Sequence, residues 1–430
     1  MAPPPGALYA NGDIFPFQSA PMTILILTIF VLVYLGMAVG RFPGLQIDRT
    51  GIALLGAVIL ALAGAMPSNA LAAAIDYPTL FILLGLMILS AQFELAGFYG
   101  WCAVRLAQAA YSPLALLALV VAVGGGLSAV LANDVVVFAM TPLLCAGLVA
   151  RGLDARPYLI ALAGAANAGS AATIIGNPQN ILIGQLGHLD FWPFLAACAV
   201  PALLGMGCVF ATVAFIWRGR LEMPDAPPLP LAPPDLDLWH LKKALLATAA
   251  LLVFFATPLP QEEGVLAVAA AMLVSRRFAS RRMLGLVDWH LLVLFAALFV
   301  VTAALARTGL PGEMVAALAS SGWALDRLSV LAPLSLAASN TIGNVPAVLL
   351  LMQVWPSPPE GALYALAVLS TLSGNLLLLG SLANLIVVER AAASGVILGF
   401  AEHAKCGVPM TLASLVLAIG WLWGMGYGGW

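Results

Sequence analysis

The chain contains 430 residues, of which 63% are hydrophobic and 8% are charged. Soluble domains carry about 25% charged residues, so this composition excludes a soluble globular protein and indicates an integral membrane protein. The formal net charge of −2 argues against nucleic acid as a partner, because binding to phosphates needs an excess of basic residues. The five cysteines lack metal-ligand spacing, so neither a metal site nor a cofactor is expected from them.

Apolar runs long enough to cross a bilayer predict ten transmembrane helices. They lie near 22–40, 50–66, 78–98, 157–186, 192–217, 243–260, 262–275, 286–306, 361–388 and 407–428. A different segment follows the third run of each half, at 113–150 and at 328–354. In the second segment, the stretch from Ser329 to Ser339 before a polar break amounts to about 16 Å of helix, roughly half a bilayer. It is predicted to be a re-entrant hairpin, whereas 113–150 is long enough for two spans and is predicted to be a hairpin only from its place in the repeat.

The two halves repeat the same polar irregularities in the same order. Asn133 and Asn340 lie 207 residues apart, and Asn180 and Asn384 lie 204 residues apart. Each interrupts an apolar segment at a depth where non-helical backbone survives only beside protein or a polar cavity. This pattern is typical of transporters that are built from two repeats.

The basic residues predict the orientation of the repeats. With the loop 41–49 in the cytoplasm, fifteen of the seventeen basic residues lie inside, and only Arg307 and Arg327 lie outside. The positive-inside rule then requires both termini outside and, because each half has five spans, two inverted repeats. The predicted divisions are an extracytoplasmic tail 1–21, a first repeat 22–217, a cytoplasmic Pro-rich linker 218–242 and a second repeat 243–430.

The polar breaks also predict the binding site. Helix starts capped by Asn, Asp, Ser or Thr would point their free N–H groups toward the centre and attract an anion. Helix ends there leave carbonyl oxygens that suit a hard cation such as sodium, so a sodium ion at the tips is one expectation beside coupling to protons. The substrate site is predicted to comprise Asn133, Asn177, Asn180, Ser339, Asn340, Thr341, Ser381 and Asn384. The coupling ion is predicted to involve Asp134, Asn133, Gly176, Asn340 and Gly380.

Asp134 is the only acidic residue in either predicted hairpin, and two interpretations of it stay open. An ionisable group at membrane depth usually faces a polar pathway, which favours a role in proton or cation coupling. Alternatively, the carboxylate only caps the second arm of the hairpin.

Several other polar residues admit a structural explanation. Residues beside the predicted breaks either belong to the site or only bond a neighbouring helix; they are Asn167, Ser170, Thr173, Ser373 and Asn375. Asn344 and Pro346 are interpreted as a kink. The four histidines are predicted in loops or at span ends, and Glu402 to Lys405 on a surface stretch.

The segments around Asn133-Asp134 and GSAATIIGNPQN, with their counterparts SNTIGN and GNLLLLGSLAN, resemble the ion transporter superfamily. That superfamily contains arsenite permeases, sodium/proton antiporters, citrate transporters and divalent anion/sodium symporters. The resemblance implies inverted repeats, two re-entrant hairpins, two unwound helices, an elevator-like motion and usually a homodimer. Ser339-Asn340-Thr341 matches the tip triplet of the anion symporters, whereas the Asn133-Asp134 pair is closer to the arsenite permeases.

The expected function is secondary active transport of a small inorganic anion, carboxylate or oxyacid, coupled to sodium or protons. The alternatives are arsenite or antimonite efflux and, in another class, an ion channel. No nucleophile elbow, Walker motif or zinc-protease motif occurs, so an enzyme is not expected. The expected location is the inner membrane of a bacterium.

Overall fold

The structure, a computed structural model, describes residues 20–39, 46–108, 112–221, 235–255, 257, 259–355 and 357–429. Most of the expected tail (1–19) and of the expected linker (222–234) lies outside the described residues. The helices are α1 (Ala20–Val39), α2 (Arg49–Leu62), α3 (Ser68–Ala74), α4 (Tyr77–Leu95), α5 (Phe98–Gln108), α6 (Pro113–Val130), α7 (Asn133–Ala150), α8 (Ala155–Ser170), α9 (Pro178–Leu186), α10 (Phe191–Ile216), α11 (Leu238–Phe254), α12 (Gln261–Leu273), α13 (Ser280–Leu284), α14 (Trp289–Ala306), α15 (Leu310–Ser320), α16 (Leu328–Ile342), α17 (Asn344–Val354), α18 (Glu360–Ser373), α19 (Leu382–Ala393) and α20 (Phe400–Gly424).

The predicted all-α membrane class is confirmed. The described residues contain these helices and no named β-strand. Seven of the helices, α1, α4, α6, α7, α10, α14 and α20, are long and apolar enough to cross a membrane. Several shorter apolar helices, such as α2, α16 and α18, accompany them. The total of ten spans stays a prediction.

The order of helices from α1 to α10 recurs from α11 to α20. The partners are similar in length: α10 has 26 residues and α20 has 25, while α5 and α15 have 11 each. Packing follows the same pairing, because α2 packs on α14 as α12 packs on α4, and α7 packs on α19 as α17 packs on α9. The halves are therefore interleaved rather than set side by side.

The matched helices α10 and α20 run antiparallel. The indole Nε1 of Trp421, near the end of α20, donates to the carbonyl of Ala197 near the start of α10 at 3.0 Å. At their other ends, Nε1 of Trp217, just after α10, lies 3.3 Å from Sγ of Cys406. An antiparallel pair is what an inverted repeat requires, so this contact supports that prediction.

Helices α8 and α18 likewise start at opposite ends of α20. Arg156 in the first turn of α8 forms an ion pair of 2.6 Å with Glu402 in the first turn of α20. Tyr364 in the first turns of α18 instead packs on Tyr427, just beyond the end of α20, with ring centroids 5.3 Å apart. Glu402 to Lys405 therefore form the first turns of α20 and are continuous with that helix; their position at the membrane surface stays a prediction.

Two helices are interrupted where the sequence predicted it. The first break separates α8 from α9, and Asn177 accepts a hydrogen bond from the Asn180 N–H (2.9 Å) with Pro178 in the first turn. The second separates α18 from α19, and the Ser381 hydroxyl accepts from the Ala383 N–H (3.2 Å). Both predicted N-caps are confirmed.

Candidate functional site

One asparagine in each half holds its own helix break in shape. The Asn180 amide donates to the carbonyls of Ser170 (3.2 Å) and Thr173 (3.0 Å). The Asn384 amide donates to the carbonyls of Gly374 (2.8 Å) and Leu377 (3.1 Å), at the same sequence spacing. These carbonyls have lost helical partners, and the amides satisfy them in a region where water is scarce.

A fully buried asparagine of α8, Asn167, links the two halves at the centre. Its Nδ2 donates to Oδ1 of Asn375 (2.8 Å) and of Asn384 (3.1 Å), both in the second half. Its Oδ1 accepts from the Ser381 hydroxyl (2.9 Å) and from Nδ2 of Asn133 (3.3 Å). Asn167 thus joins the first predicted tip to the second break, which goes beyond bonding one neighbouring helix.

Thr371 of α18 is the counterpart of Asn167, 204 residues later. Its hydroxyl accepts from Nδ2 of Asn177 (3.3 Å) and from Nε2 of Gln179 (3.2 Å). The same hydroxyl lies 3.4 Å from Oδ1 of Asn180. Each break is therefore bonded by a polar side chain of the other half, so a displacement of one would be felt by the other.

The first tip is tied down by hydrogen bonds around Asn133. Its backbone N–H donates to the Gly176 carbonyl in the first break (3.1 Å), and its Oδ1 accepts from the Asp134 N–H (2.9 Å). The cap position of α7 is Ala132, which gives no side-chain cap. The half-buried Asp134 carboxylate receives no hydrogen bond from any described residue, so the capping interpretation of Asp134 is wrong for this structure.

The second tip is built differently from the prediction. Ser339, Asn340 and Thr341 lie in the last turn of α16 and do not cap the second arm, because the helix continues to Gly343. Gly343 has φ of +95°, a conformation that favours glycine, and α17 starts at Asn344. The helix-capping role that the sequence analysis gives to Asn, Asp, Ser and Thr at the breaks therefore does not hold for these three residues.

Three polar atoms at the second tip have no hydrogen-bond partner among the described residues: Oδ1 of Asn340, Oδ1 of Asn344 and Oγ of Ser373. The other end of the Asn340 amide is fixed, since Nδ2 donates to the carbonyls of Leu336 and Ser373 at 2.9 Å each. The orientation of the unpartnered Asn340 oxygen is therefore set by the fold.

Two glycines of the second break allow the tip to approach. A Cβ at Gly380 would lie 2.5 Å from Oδ1 of Asn340 and 2.8 Å from the Gly374 carbonyl oxygen. A Cβ at Gly374 would lie 2.6 Å from Nδ2 of Asn344. Tip and break thus bring side-chain and backbone oxygens together in one small region.

The predicted residues divide into two groups. Asn133, Asn177, Asn180, Ser381 and Asn384 meet through Asn167 and Thr371, and Asn340 lies against the second break. Ser339 is buried with its hydroxyl 3.4 Å from the Ser370 carbonyl. Thr341 is exposed, and its hydroxyl bonds carbonyls of its own helix, so the structure does not bring it to the others.

Sequence reasoning predicted His403 in a loop or at a span end, and it lies in the first turn of α20, but its contact with the second break was missed. Its side chain is fully buried, and Nε2 lies 3.2 Å from the Asn375 carbonyl in the second break. A Cβ at Gly407 would lie 2.6 Å from the same carbonyl, so α20 packs closely behind the break. The repeat offset could have found Thr371 from Asn167, but His403 has no comparable sequence signal.

This chain belongs to the citrate transporter family, whose model matches residues 30–360. It is 29% identical to the silicon efflux transporter LSI3 of Oryza sativa subsp. japonica, over 88% of this chain and 92% of that protein. It is 31% identical to the inner membrane protein YbiR of Escherichia coli, over 74% of this chain and 81% of that protein. The solved structure of the YdaH transporter of Alcanivorax borkumensis shares the fold, with a TM-score of 0.58 at 17% identity, over 95% of this chain and 99% of that one.

The family membership confirms the resemblance to the ion transporter superfamily. The chain is therefore a multi-pass membrane transporter, and the family contains transporters rather than enzymes.

Proposed function

We propose that the protein is a secondary active transporter that moves a small anion, a carboxylate or an inorganic oxyanion, together with sodium or protons. Membership of the citrate transporter family supports this class of substrate. The central residues supply amides, hydroxyls and the starts of α9 and α19, which hold an oxygen-rich solute without a fixed basic side chain. A weakly charged site releases its solute more easily than one with a permanent ion pair.

The observation that carries the proposal is the set of unpartnered atoms at the second tip. A buried polar group without a partner costs about 1–3 kcal/mol, so such a group calls for a specific explanation. Two of the three are amide oxygens, Asn340 Oδ1 and Asn344 Oδ1, and the third is the Ser373 hydroxyl. Oxygen donors of this kind suit a hard cation. Asn340, Asn344 and Ser373 would hold a sodium ion, whose charge would offset that of a bound anion.

The first tip favours protons as a second coupling ion. Asp134 is half-buried at the start of α7 and has no hydrogen bond to its carboxylate among the described residues. A carboxylate there repels an anion while ionised and stops doing so when protonated. Protonation of Asp134 would therefore accompany anion entry.

One observation favours a second candidate, the efflux of a neutral hydroxylated acid such as arsenous acid. The hydrogen-bonded centre that links Asn167 to Thr371 contains only neutral side chains, and Asp134 would not repel a neutral solute. The relative LSI3 is named a silicon efflux transporter. In this case Asp134 would carry a proton in one direction across the membrane in exchange for the neutral acid moving in the other.

The architecture we propose for transport has ten spans in two inverted repeats, with α6–α7 and α16–α17 as re-entrant hairpins. The Tyr158 hydroxyl at the start of α8 lies 3.5 Å from the Pro113 carbonyl, which brings the start of α6 beside the loop that ends α7. The Leu328 N–H donates to the Gly429 carbonyl (2.8 Å) at the end where α18 begins. Both contacts are what hairpins that return to their own side would make. The protein would act as a homodimer in a bacterial inner membrane, moving by an elevator-like displacement.

The orientation is tested by cysteine labelling with an impermeant maleimide in intact cells and in inverted vesicles. Pro230→Cys should react only from the cytoplasm, and Pro3→Cys and Gly429→Cys only from outside. Reaction of Pro230→Cys and Gly429→Cys from the same side would contradict the inverted arrangement. The parent protein gives the background from its native cysteines.

The function is tested by uptake into proteoliposomes. The solutes are citrate, succinate, sulfate, phosphate, arsenite and silicic acid, each under an inward sodium gradient, a pH gradient or neither. We expect accumulation of an anion that needs one of the gradients, and Asn344→Ala to weaken the sodium response. Asn69→Ala, at an exposed position of α3, is the matched control. Accumulation of arsenite or silicic acid alone would favour the second candidate, and no gradient-driven accumulation of any solute would contradict both.

A further inference from the structure

The connection between α12 and α14, residues 274–288, carries a concentration of arginines. Arg276, Arg277, Arg281 and Arg282 fall within seven residues, and all four are exposed. Two of them belong to the short helix α13. In the first half, the matched connection between α2 and α4 carries α3, which has no charged residue. The basic cluster is therefore a property of one connection and not of the repeat.

The backbone that carries the arginines is fixed by buried side chains and local hydrogen bonds. The side chains of Phe278 and Met283 are buried. The Ser275 hydroxyl accepts from the N–H groups of Arg277 (3.2 Å) and Phe278 (3.1 Å), which fixes the turn before α13. The connection therefore presents its charges from a fixed backbone.

The backbone of this connection is also hydrogen-bonded to side chains of α11 and α14. Nζ of Lys243 donates to the carbonyls at the end of α12, those of Met272 (3.2 Å) and Val274 (2.6 Å). Nε1 of Trp289, in the first turn of α14, donates to the Leu284 carbonyl (2.9 Å). The hydrogen bonds of Lys243 and Trp289 therefore restrain the loop between α12 and α14 at both of its ends.

Among the described residues, three of the four arginines have no acidic partner. Arg277 forms an ion pair of 2.5 Å with Asp237. No described carboxylate lies within ion-pair distance of Arg276, Arg281 or Arg282, although the Arg282 guanidinium lies 5.8 Å from the Phe278 ring centroid. About three positive charges are thus available on one small surface.

Apolar side chains adjoin these charges at the membrane ends of three helices. Trp289 and Leu286 are 49% and 40% exposed, Val274 is 78% exposed, and Trp239 at the start of α11 is 74% exposed. Tryptophans at helix ends lie at the level of lipid headgroups. The surface therefore places basic side chains beside apolar ones, and this arrangement matches a phospholipid, which has an anionic phosphate next to its acyl chains.

We propose that residues 274–289 form a binding site for an anionic phospholipid. Arg281 and Arg282 hold the headgroup phosphate, Arg276 binds a second phosphate or a glycerol oxygen, and Trp289 and Val274 contact the first carbons of the acyl chains. Arginine forms bidentate hydrogen bonds to phosphate oxygens. Basic clusters next to a transmembrane helix bind anionic headgroups, and each basic residue raises the affinity about fivefold. This site lies outside the central polar site and does not depend on the transported solute.

The test is native mass spectrometry of the purified full chain with equal amounts of cardiolipin, phosphatidylglycerol and phosphatidylethanolamine. We expect the parent protein to retain cardiolipin or phosphatidylglycerol in preference to phosphatidylethanolamine. The triple variant Arg276→Gln, Arg281→Gln, Arg282→Gln should retain less than about a tenth of the anionic lipid adduct. The matched control is the triple variant Arg105→Gln, Arg218→Gln, Arg220→Gln. It removes three other exposed arginines, each of which lies over an aromatic ring. It should keep the adduct.

Equal retention by the parent and the triple variant overturns the proposal, and so does an equal loss in the control, which would show a general charge effect. The anionic lipid should raise the melting temperature of the parent protein, and inorganic phosphate at 10 mM in place of the lipid should not. A rise with phosphate equal to the rise with the lipid would overturn the proposal and assign the site to a free anion. If the triple variant does not fold, the parent is measured at increasing ammonium acetate concentration. Selective loss of the anionic lipid then supports the site, and a salt-independent adduct contradicts it.

Discussion

The two tips differ although they occupy matching places in the two halves. At the first tip, Asn133 uses its backbone N–H, its amide and its oxygen in hydrogen bonds to Gly176, Asn167 and Asp134. At the second tip, the side-chain oxygens of Asn340 and of the nearby Asn344 have no hydrogen-bond partner among the residues that the structure describes. The first tip therefore has a carboxylate next to an asparagine whose side chain is hydrogen-bonded. The second tip has no carboxylate, and its amide oxygens have no hydrogen-bond partner among the described residues. In the function we propose, the two halves would therefore divide two binding roles between them.

The cause of the difference lies three residues beyond the tip. Gly343 allows a left-handed backbone, so α16 extends through Asn340 and α17 starts at Asn344. The first predicted hairpin has no glycine between Gly126 and Gly147, and its chain passes from α6 to α7 through Leu131 (φ −122°, ψ 152°) and Ala132 (φ −54°, ψ 121°). One glycine therefore decides whether the asparagine ends one helix or starts the next.

The largest expected effect concerns the carboxylate of the first tip. Asp134→Asn keeps the size and polarity of the side chain but removes its ability to titrate. We expect the variant to fold and to lose accumulation of solute against a gradient, measured as uptake into proteoliposomes under a pH gradient. Asp190→Asn is the control, because Asp190 is exposed before α10 and makes no side-chain cap. Accumulation by Asp134→Asn at the parental level, with the same pH and sodium response, would remove Asp134 from coupling.

Gly380→Ala should reduce uptake more than tenfold. The added methyl group would lie 2.5 Å from Oδ1 of Asn340 and 2.8 Å from the Gly374 carbonyl, so the second tip would have to move away from the break. Gly420→Ala serves as the control because no atom lies within 4 Å of its added Cβ. Initial uptake rates at equal protein content provide the measurement, and parental rates in Gly380→Ala would show that the tip need not meet the break.

Alanine replacements at the two tips should separate sodium binding from stability. Asn344→Ala should raise the sodium concentration for half-maximal uptake about tenfold, equivalent to about 1.4 kcal/mol, with little change in melting temperature. Asn133→Ala should instead lower the free energy of unfolding by about 1–3 kcal/mol, because it removes the side-chain hydrogen bonds to Asn167 and to the Asp134 N–H, and should also abolish transport. The same sodium dependence in Asn344→Ala and the parent would contradict a sodium role for the second tip.

The two cross-linking residues should differ in their effect on stability. Asn167→Ala leaves four polar partners without this hydrogen bond, whereas Thr371→Val leaves three. Both variants should lower the melting temperature in detergent, and Asn167→Ala should lower it more. The opposite order would mean that the first half depends more on this link than the second.

The smallest effect concerns the cluster of Asp154, Arg156 and Glu402. Burial alone would raise the pKa of Asp154, but hydrogen bonds from Arg156 and its charge outweigh burial and hold that pKa below its usual value. Such a carboxyl stabilises the fold above the unfolded-state pKa of about 3.9 and loses this effect as the pH falls through its lowered folded-state pKa. Arg156→Gln should therefore lower the melting temperature at pH 7 and have less effect near pH 3. A difference that is the same at both pH values would assign the effect to packing.

The sequence predicted those features that depend on local chemistry. The starts of α9 and α19 follow from Asn177-Pro178 and Ser381, because a cap acts within one turn. The central role of Asn167 was beyond reach, since its partners Asn375 and Asn384 lie 208 and 217 residues away. The burial of His403 likewise depends on how closely α20 packs behind the second break, which no local pattern records.

In the mechanism we propose, the two tips couple an ion gradient to the movement of a solute. The most direct test of this mechanism is counterflow in proteoliposomes loaded with unlabelled citrate, or with whichever solute the uptake panel identifies. A carrier should show saturable uptake, a transient overshoot of labelled solute and accumulation that disappears when the sodium and pH gradients are collapsed. Flux that does not saturate, shows no overshoot and ignores both gradients would contradict the account and assign the protein to the channels.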